Sequence, residues 1–113
     1  MVVLFGDIGV FVTDAEHKHL EAVKNLGCVV CRNLGYFTIR DAITADAHHI
    51  TDGGRRIDHY HTIPLCHSHH RAGWNNEQVV SRHPWRKEFE ARYGSEIKLL
   101  DQTKRELDAQ ANG

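Results

Sequence analysis

Apolar and polar positions follow a helical period from Asp14 to Leu26. The apolar residues at this spacing are Leu20, Val23 and Leu26, which share one face of a helix. Thr13 and Glu16 can form a capping box, in which each side chain bonds the backbone amide of the other residue. Gly27 directly follows the last apolar position and is typical of a helix end. The pattern therefore predicts a helix over Asp14–Leu26.

Two more helices are predicted towards the C-terminus, separated by Gly94. Pro84 suits the first turn of the earlier helix, whose apolar stripe comprises Trp85, Phe89 and Tyr93. Ser95 can cap the later helix, whose inward face comprises Ile97, Leu100, Lys104 and Leu107, widened by Leu99. The polar residues 108–113 are predicted to form a disordered tail.

The middle of the chain has the pattern of a β-hairpin. Asp46–Ile50 and Thr62–Leu65 are the predicted strands, and residues 51–54 (TDGG) form a turn or loop. A short helix is expected from Cys66, whereas residues 36–43 have an ambiguous pattern. Residues 1–12 are apolar and form either an N-terminal arm or an extra strand. With 113 residues, the chain is predicted to be a single α+β domain over residues 1–113.

Charge and composition exclude several classes of protein. Lys and Arg number 14 and Asp and Glu number 15, so the chain lacks the net positive charge that would indicate nucleic acid binding. Any DNA-binding face therefore has to be local. No segment approaches the roughly 20 apolar residues of a membrane span, and the start of the chain lacks the basic region of a signal peptide. Ten histidines and an odd number of cysteines, three, indicate metal ligation in a reducing compartment.

Four residues have the spacing of a closed metal site. Cys28 and Cys31 form a C-x-x-C pair, and Cys66 and His69 form a C-x-x-H pair. Three thiolates and one imidazole complete the tetrahedral ligand set of a structural zinc site. The intervening segment is long enough to contain the hairpin, so the ion would join the first helix to the last strand. The alternative is that the three cysteines are buried free thiols acting as small hydrophobic residues.

A second group of histidines is not used by that site. His48 and His49 end the first predicted strand, and His70 follows His69 in the short helix. A regular strand points neighbouring side chains to opposite faces, and a twist or bulge would let one bind a metal while its neighbour faces a substrate. These residues are suited to a catalytic metal with open positions. The alternative is an exposed polar pair at a strand end.

The arrangement C-x-x-C, AHHI-x-x-GG-x-R and D-x-Y-x-x-IPLC-x-x-HH resembles the HNH, or ββα-metal, endonuclease superfamily. Within it, the chain is most similar to the Ref-like group of phage and prophage recombination nucleases, whose named member cuts DNA together with RecA filaments. The likeness extends from about Cys28 to Leu107 and includes the segment HPWRKEFEARYGSEIKLL. It implies a small zinc-stapled ββα-metal core with flanking helices on both sides.

The resemblance implies a role for each matching residue. His49 matches the general base that activates water. Ligands of a catalytic Mg²⁺ or Mn²⁺ are matched by His48 and His70, although Zn²⁺ can occupy such a site in a crystal. His83 matches a family histidine placed before a helix, which either completes this metal site as a ligand or supports it. The structural zinc set is matched by Cys28, Cys31, Cys66 and His69, with His in place of the commoner fourth Cys. Asp46 and Asp58 are expected to orient imidazoles. The middle Asn of many HNH motifs is absent, and His61 lies near its place.

Local cations supply the predicted DNA contacts. Arg55 and Arg56 end a flexible glycine loop, and Arg71 follows the proposed metal ligand His70; all three are expected to contact phosphates. A second group, Arg82, Arg86 and Lys87, either adds to that face or is simply a solvated helix surface. Exposed tryptophans can stack on bases; Trp85 is expected in the core, and Trp74 is left open.

These features predict a metal-dependent DNA endonuclease in phage or prophage recombination or repair. The alternatives are a non-catalytic zinc module that binds DNA or protein, and a two-zinc scaffold whose extra histidines are structural. The expected partners are DNA and a RecA filament, with no membrane, and the expected location is the bacterial cytoplasm, for a host- or phage-encoded chain. The long basic N-terminal extension of the family's named member has no counterpart here, which leaves RecA dependence open. The oligomeric state is also left open by the sequence.

Overall fold

The N-terminal segment forms a strand pair that leads into the first helix. The structure, a computed structural model, describes residues 2–4 and 11–112. Strand β1 (Val2–Leu4) pairs antiparallel with β2 (Phe11–Thr13). The extra-strand alternative is therefore correct for these two segments, and the rest of the predicted arm lies outside the described residues.

Helix α1 (Asp14–Leu26) has the predicted bounds, and the capping box is confirmed. The Glu16 amide donates to Thr13 Oγ1 at 3.1 Å, and the Thr13 amide donates to Glu16 Oε1 at 2.9 Å. Gly27 ends the helix with a φ of 77°, and a Cβ there would lie 2.5 Å from the Ala42 side chain. Only glycine fits this tight exit from the helix, which leads into the short helix α2 (Val29–Asn33).

The predicted hairpin is also confirmed. Strand β3 (Asp46–His49) pairs antiparallel with β6 (Thr62–Leu65), with His48 opposite Ile63. The connection between them contains a smaller pair, β4 (Thr51–Asp52) with β5 (Arg55–Arg56). Helix α3 (His67–His70) follows β6 directly. The ambiguous segment before β3 forms a 3₁₀ turn over Ile39–Asp41.

Helix α4 (Arg86–Tyr93) differs from its prediction at the N-terminal end. Pro84 lies outside the helix, because Trp85 has non-helical backbone angles (φ −95°, ψ 52°) and occupies the N-cap position. Trp85 is 37% exposed, so its predicted place in the core is wrong. Phe89 is fully buried, as expected, and Tyr93 packs against it with ring centroids 5.1 Å apart.

Helix α5 (Glu96–Asn112) begins as predicted, since Ser95 Oγ accepts a hydrogen bond from the Lys98 amide. Leu99 and Leu100 are buried as predicted, but Glu96 and Thr103 complete the buried face, whereas Lys104 is exposed and Leu107 is half-buried. Ile97 is 61% exposed, because the apolar pair of leucines and the buried glutamate set the rotation of the helix. The predicted disordered tail is corrected, because residues 108–112 continue the helix.

The core lies around β6, which packs against α1, α2 and α5. All four residues of β6 are buried, and they meet the buried residues of α2 and α5 together with Phe89. Cys28 and Cys31 belong to this core. The α+β class is therefore confirmed. None of the described helices has the length and apolar character needed to cross a membrane.

Candidate metal and active site

The four residues of the predicted closed site converge in the core. The candidate ligand atoms of Cys28, Cys31, Cys66 and His69 all lie within 4.8 Å of one another. The Sγ atoms of Cys31 and Cys66 are 3.8 Å apart, and His69 Nδ1 lies 3.2 to 3.7 Å from the three sulfurs. Tetrahedral zinc, with Zn–S about 2.3 Å and Zn–N about 2.05 Å, requires separations of roughly 3.8 Å and 3.6 Å. This set, named here the Cys₃His site, can hold a metal ion.

Two helix starts position these ligands. Cys28 caps α2, and its Sγ accepts a hydrogen bond from the Cys31 amide at 3.5 Å. Cys66 caps α3, whose single turn brings His69 back over it. The pKa of Cys66 lies well below the ordinary thiol range, because the thiols of Cys28 and Cys31 donate hydrogen bonds to its sulfur. Cysteines that were merely small hydrophobic residues would not need to converge with an imidazole.

A second convergence involves His48 from β3, His70 from α3 and His83 from the loop before α4. One ring nitrogen of each residue lies within 4.8 Å of the others. His70 is placed beside His83 by the backbone, since the His83 amide donates to the His70 carbonyl at 2.9 Å. His48 and His70 are buried, whereas His83 is exposed. This set, the three-histidine site, is therefore open to solvent on the His83 side.

Two carboxylates bond the imidazoles of His48 and His70 at the ring nitrogens that point away from each other. Glu96 Oε2 lies 2.8 Å from His48 Nε2, and Asp46 Oδ2 lies 3.0 Å from His70 Nδ1. Ionised carboxylates only accept, so these nitrogens carry the hydrogens. The remaining nitrogens, His48 Nδ1 and His70 Nε2, then face each other without a hydrogen at 3.2 Å. Two nitrogens bound at about 2.1 Å to one ion lie roughly 3.0–3.4 Å apart, so the pair fits a cation.

The pKa values of these groups support that assignment. Burial would raise the pKa of Glu96, but the hydrogen bonds from His48 and Arg82 outweigh it and lower the pKa to about 2. Glu96 is therefore ionised although only 1% exposed. Burial lowers the pKa of His70 to about 4, despite the opposing hydrogen bond with Asp46. Burial also lowers the pKa of His83, with Arg82 and His48 adding to the effect. His70 and His83 are thus neutral near pH 7, the form that binds metals.

His49 lies in the same pocket as the three-histidine site without belonging to it. The pocket has a volume of about 190 Å³ and is lined by Ala47, His48, His49, Thr51, Arg56, His70, Arg71 and His83. The pairing of β3 with β6 is regular at His48 and His49, so no bulge is needed to bring both to the pocket. Burial and the positive charge of Arg56 lower the pKa of His49 to about 4. Its imidazole is therefore neutral near pH 7.

Other predicted site residues lie elsewhere. Asp58 accepts hydrogen bonds from the amides of Tyr60 and His61 and pairs with His61 Nδ1 at 2.7 Å. It therefore orients the loop and the His61 imidazole, and not a ligand of the three-histidine site. Arg55 is exposed on β5 and does not line the pocket, whereas its neighbour Arg56 does.

The residues of the second cationic group, predicted either to contact DNA or to form a solvated helix surface, lie in three different environments. Arg82 is buried, and its Nε donates to Glu96 Oε1 at 2.6 Å, so it is not a solvated surface residue. Arg86 is half-exposed and also pairs with Glu96, at 3.2 Å, and Lys87 is exposed. Trp74 is exposed.

Two residues of the site were missed from sequence. Glu96 lies in the segment HPWRKEFEARYGSEIKLL that carries the family resemblance, but it was given no role in the site. Its local signal is a charged residue in helical phase with Leu99, Leu100 and Thr103. His59 was also missed, and its ring nitrogen Nδ1 lies 2.9 Å from His49 Nε2. Nothing in the local pattern distinguishes His59 from its neighbour His61.

Fold and site define a small α+β protein with two candidate metal sites beside a cationic pocket. Residues 12–108 match the sequence model of the family described as recombination enhancement, RecA-dependent nuclease. The match covers most of the chain, and the chain therefore belongs to this family. Among proteins with curated functions, none matches. The family description makes the chain a nuclease, an enzyme acting on nucleic acid in recombination.

Proposed function

We propose that the chain is a metal-dependent DNA endonuclease of the HNH, or ββα-metal, superfamily. The observation that carries the proposal is that His49 and the three-histidine site share one pocket with two arginines. The order of β3, β6 and α3, two antiparallel strands followed by a helix, supports the ββα assignment. A divalent ion such as Mg²⁺ or Mn²⁺, held by His48, His70 and His83, would supply Lewis-acid charge against the scissile phosphate and the leaving oxygen.

His49 is the general base in this proposal. Hydrolysis requires a group that removes a proton from the attacking water, and a neutral imidazole in the pocket can accept it. His49 is half-buried, neutral near pH 7 and outside both ligand sets, so it is free for this role. Such a base typically contributes ~100- to 10,000-fold to the rate.

Charged side chains around the pocket have two separate tasks. Arg56 and Arg71 line it and would hold the phosphates of the DNA strand, which gives affinity without sequence preference. Glu96 and Asp46 fix the ring orientation of His48 and His70, so that the correct nitrogens face the ion. In this proposal the two arginines bind the substrate, and the two carboxylates orient the metal ligands.

The Cys₃His site is proposed to hold structural zinc, because sulfur-rich tetrahedral sets select this ion. DNA is the proposed substrate, in partnership with a RecA filament, which is consistent with the family description. The proposed location is the cytoplasm, where thiols remain reduced and RecA filaments form.

The test is a cleavage assay on supercoiled plasmid and on single-stranded DNA, with and without a RecA filament. Wild type, His49→Ala and His67→Ala are compared in metal-free buffer and after addition of Mg²⁺ or Mn²⁺. His67 is the matched control, because it is an exposed histidine of α3 outside both ligand sets. We expect metal-dependent cleavage by wild type and His67→Ala, and at least a 100-fold loss in His49→Ala.

The result also separates the alternatives. If folded, zinc-loaded wild type does not cleave under any of these conditions, the chain is a non-catalytic zinc module. If replacing His48 unfolds the domain, the extra histidines belong to a structural scaffold. His49 argues against the scaffold, because it lies in the pocket yet belongs to neither ligand set.

A further inference from the structure

The proposed base is itself held by a second histidine. His49 Nε2 and His59 Nδ1 are 2.9 Å apart, and the two rings meet edge-on with centroids 5.1 Å apart. His59 comes from the loop between β5 and β6, and Thr62 Oγ1 donates to its carbonyl at 3.1 Å. In the same loop, Asp58 Oδ1 accepts hydrogen bonds from the amides of Tyr60 and His61. The backbone that carries the His59 ring is therefore held by hydrogen bonds.

We propose that His59 is a positioning residue that keeps His49 in the tautomer competent to act as a base. A hydrogen bond between two neutral imidazoles requires one donor and one acceptor. With Nε2 of His49 occupied by His59, Nδ1 is the only ring nitrogen left to accept a proton from water. That acceptance requires the hydrogen of neutral His49 to lie on Nε2, donated to His59 Nδ1. This inference rests on the proposed function.

The surroundings favour this direction of the hydrogen bond. Arg56 and Arg71 line the same pocket as His49, and their positive charge favours a lone pair over an N–H at the ring nitrogen that His59 does not occupy. When Nδ1 takes a proton, His49 becomes a cation and must donate from both nitrogens. His59 Nδ1 then accepts a charge-assisted hydrogen bond, which is stronger than the neutral one. The contact therefore strengthens as the proton is transferred.

Neither His49 nor His59 belongs to a metal-ligand set formed by the described residues. The neighbouring His61 provides a matched comparison, because it lies in the same loop but pairs with Asp58. His61 is a histidine of the same loop whose side chain bonds Asp58, whereas the His59 side chain bonds the base. A general effect of removing a histidine from this loop would therefore appear in both variants.

The experiment measures kcat and KM for DNA cleavage in His59→Ala, His59→Asn and His61→Ala. We expect His59→Ala to lower kcat by roughly 10- to 100-fold, as loss of an outer-sphere partner does, with KM unchanged. Asn places an acceptor oxygen where His59 has Nδ1, so His59→Asn should recover most of the lost kcat. His61→Ala should match wild type.

Several results would overturn the inference. These are a kcat for His59→Ala within twofold of wild type, no recovery in His59→Asn, or an equal loss in His61→Ala. Nitrogen NMR of the wild-type His49 ring needs no variant to fold, and it should show hydrogen on Nε2 and none on Nδ1; the reverse also overturns the proposal. A wild type that does not cleave, or a fully active His49→Ala, would instead contradict the proposed function.

Discussion

Replacing one ligand of the Cys₃His site should unfold the protein. Cys31 is suited to the test, because its Sγ lies 3.8 Å from Cys66 Sγ and 3.5 Å from His69 Nδ1. Cys31→Ser removes one sulfur ligand from the centre of the set while hardly changing side-chain volume. The side chain is buried in the same core as its neighbour Val30, so packing at this position is largely preserved.

The expected magnitude follows from what the ion joins. The site connects α2 with α3 across 35 residues of sequence, through a core to which two of the cysteines belong. Structural zinc contributes an apparent binding free energy of about 10–16 kcal/mol near pH 7. The whole free energy of unfolding of a domain is about 5–15 kcal/mol. Loss of a zinc ion held at this site would therefore remove as much free energy as the whole fold possesses.

Circular dichroism and zinc analysis of the purified variant provide the assay. Cys31→Ser should lack bound zinc and a cooperative thermal transition at 25 °C and above. His83→Ala is the control, because His83 is an exposed member of the three-histidine site and its loss should leave the fold unchanged. A Cys31→Ser protein that unfolds cooperatively within a few degrees of wild type would refute the structural role of the site.

Further predictions concern the active pocket. Glu96→Gln should weaken Mn²⁺ binding at the three-histidine site roughly 10- to 100-fold, measured by calorimetric titration; unchanged affinity would show that Glu96 does not orient its imidazole. Cleavage should stay constant from about pH 8 down to about pH 5 and fall at lower pH, because a His49 pKa lowered to about 4 keeps the base unprotonated throughout that range; a rate profile with an acid limb near 6.5 would contradict this. In a His49→Ala background, Arg56→Ala or Arg71→Ala should each reduce the salt dependence of DNA binding by about one phosphate contact, measured by fluorescence anisotropy. Arg105→Ala, on exposed α5 surface, should not.

Local patterns were sufficient for the elements whose signals are local. The capping box and apolar period defined α1 to the residue, and the spacing of Cys28, Cys31, Cys66 and His69 predicted a set that does converge. A helix start and a metal knuckle both depend on residues within a single turn of each other. The chain therefore carries that information in short segments, which can be recognised without knowing the tertiary structure.

Features that depend on contacts between distant segments were not predictable in this way. The rotation of α5 is set by Glu96, whose partners His48 and Arg82 lie 48 and 14 residues away. A buried carboxylate is acceptable there only because those partners satisfy it. The apolar pattern alone therefore predicted Leu99 and Leu100 correctly but placed Ile97 on the buried face in place of Glu96. His59 could not be predicted for the same reason, because its contact with His49 depends on how the loop folds back onto β3.

The two candidate metal sites are physically linked through α3. His69 belongs to the Cys₃His site and His70 to the three-histidine site, and consecutive helical residues point about 100° apart. The backbone of residues 82 and 83 bonds to the carbonyls of both, so His83 is placed by the same turn. An ion that fixes Cys66 and His69 therefore also fixes the direction of His70. Because a single four-residue helix could not hold that orientation by itself, we expect the structural ion to be a condition for the catalytic one.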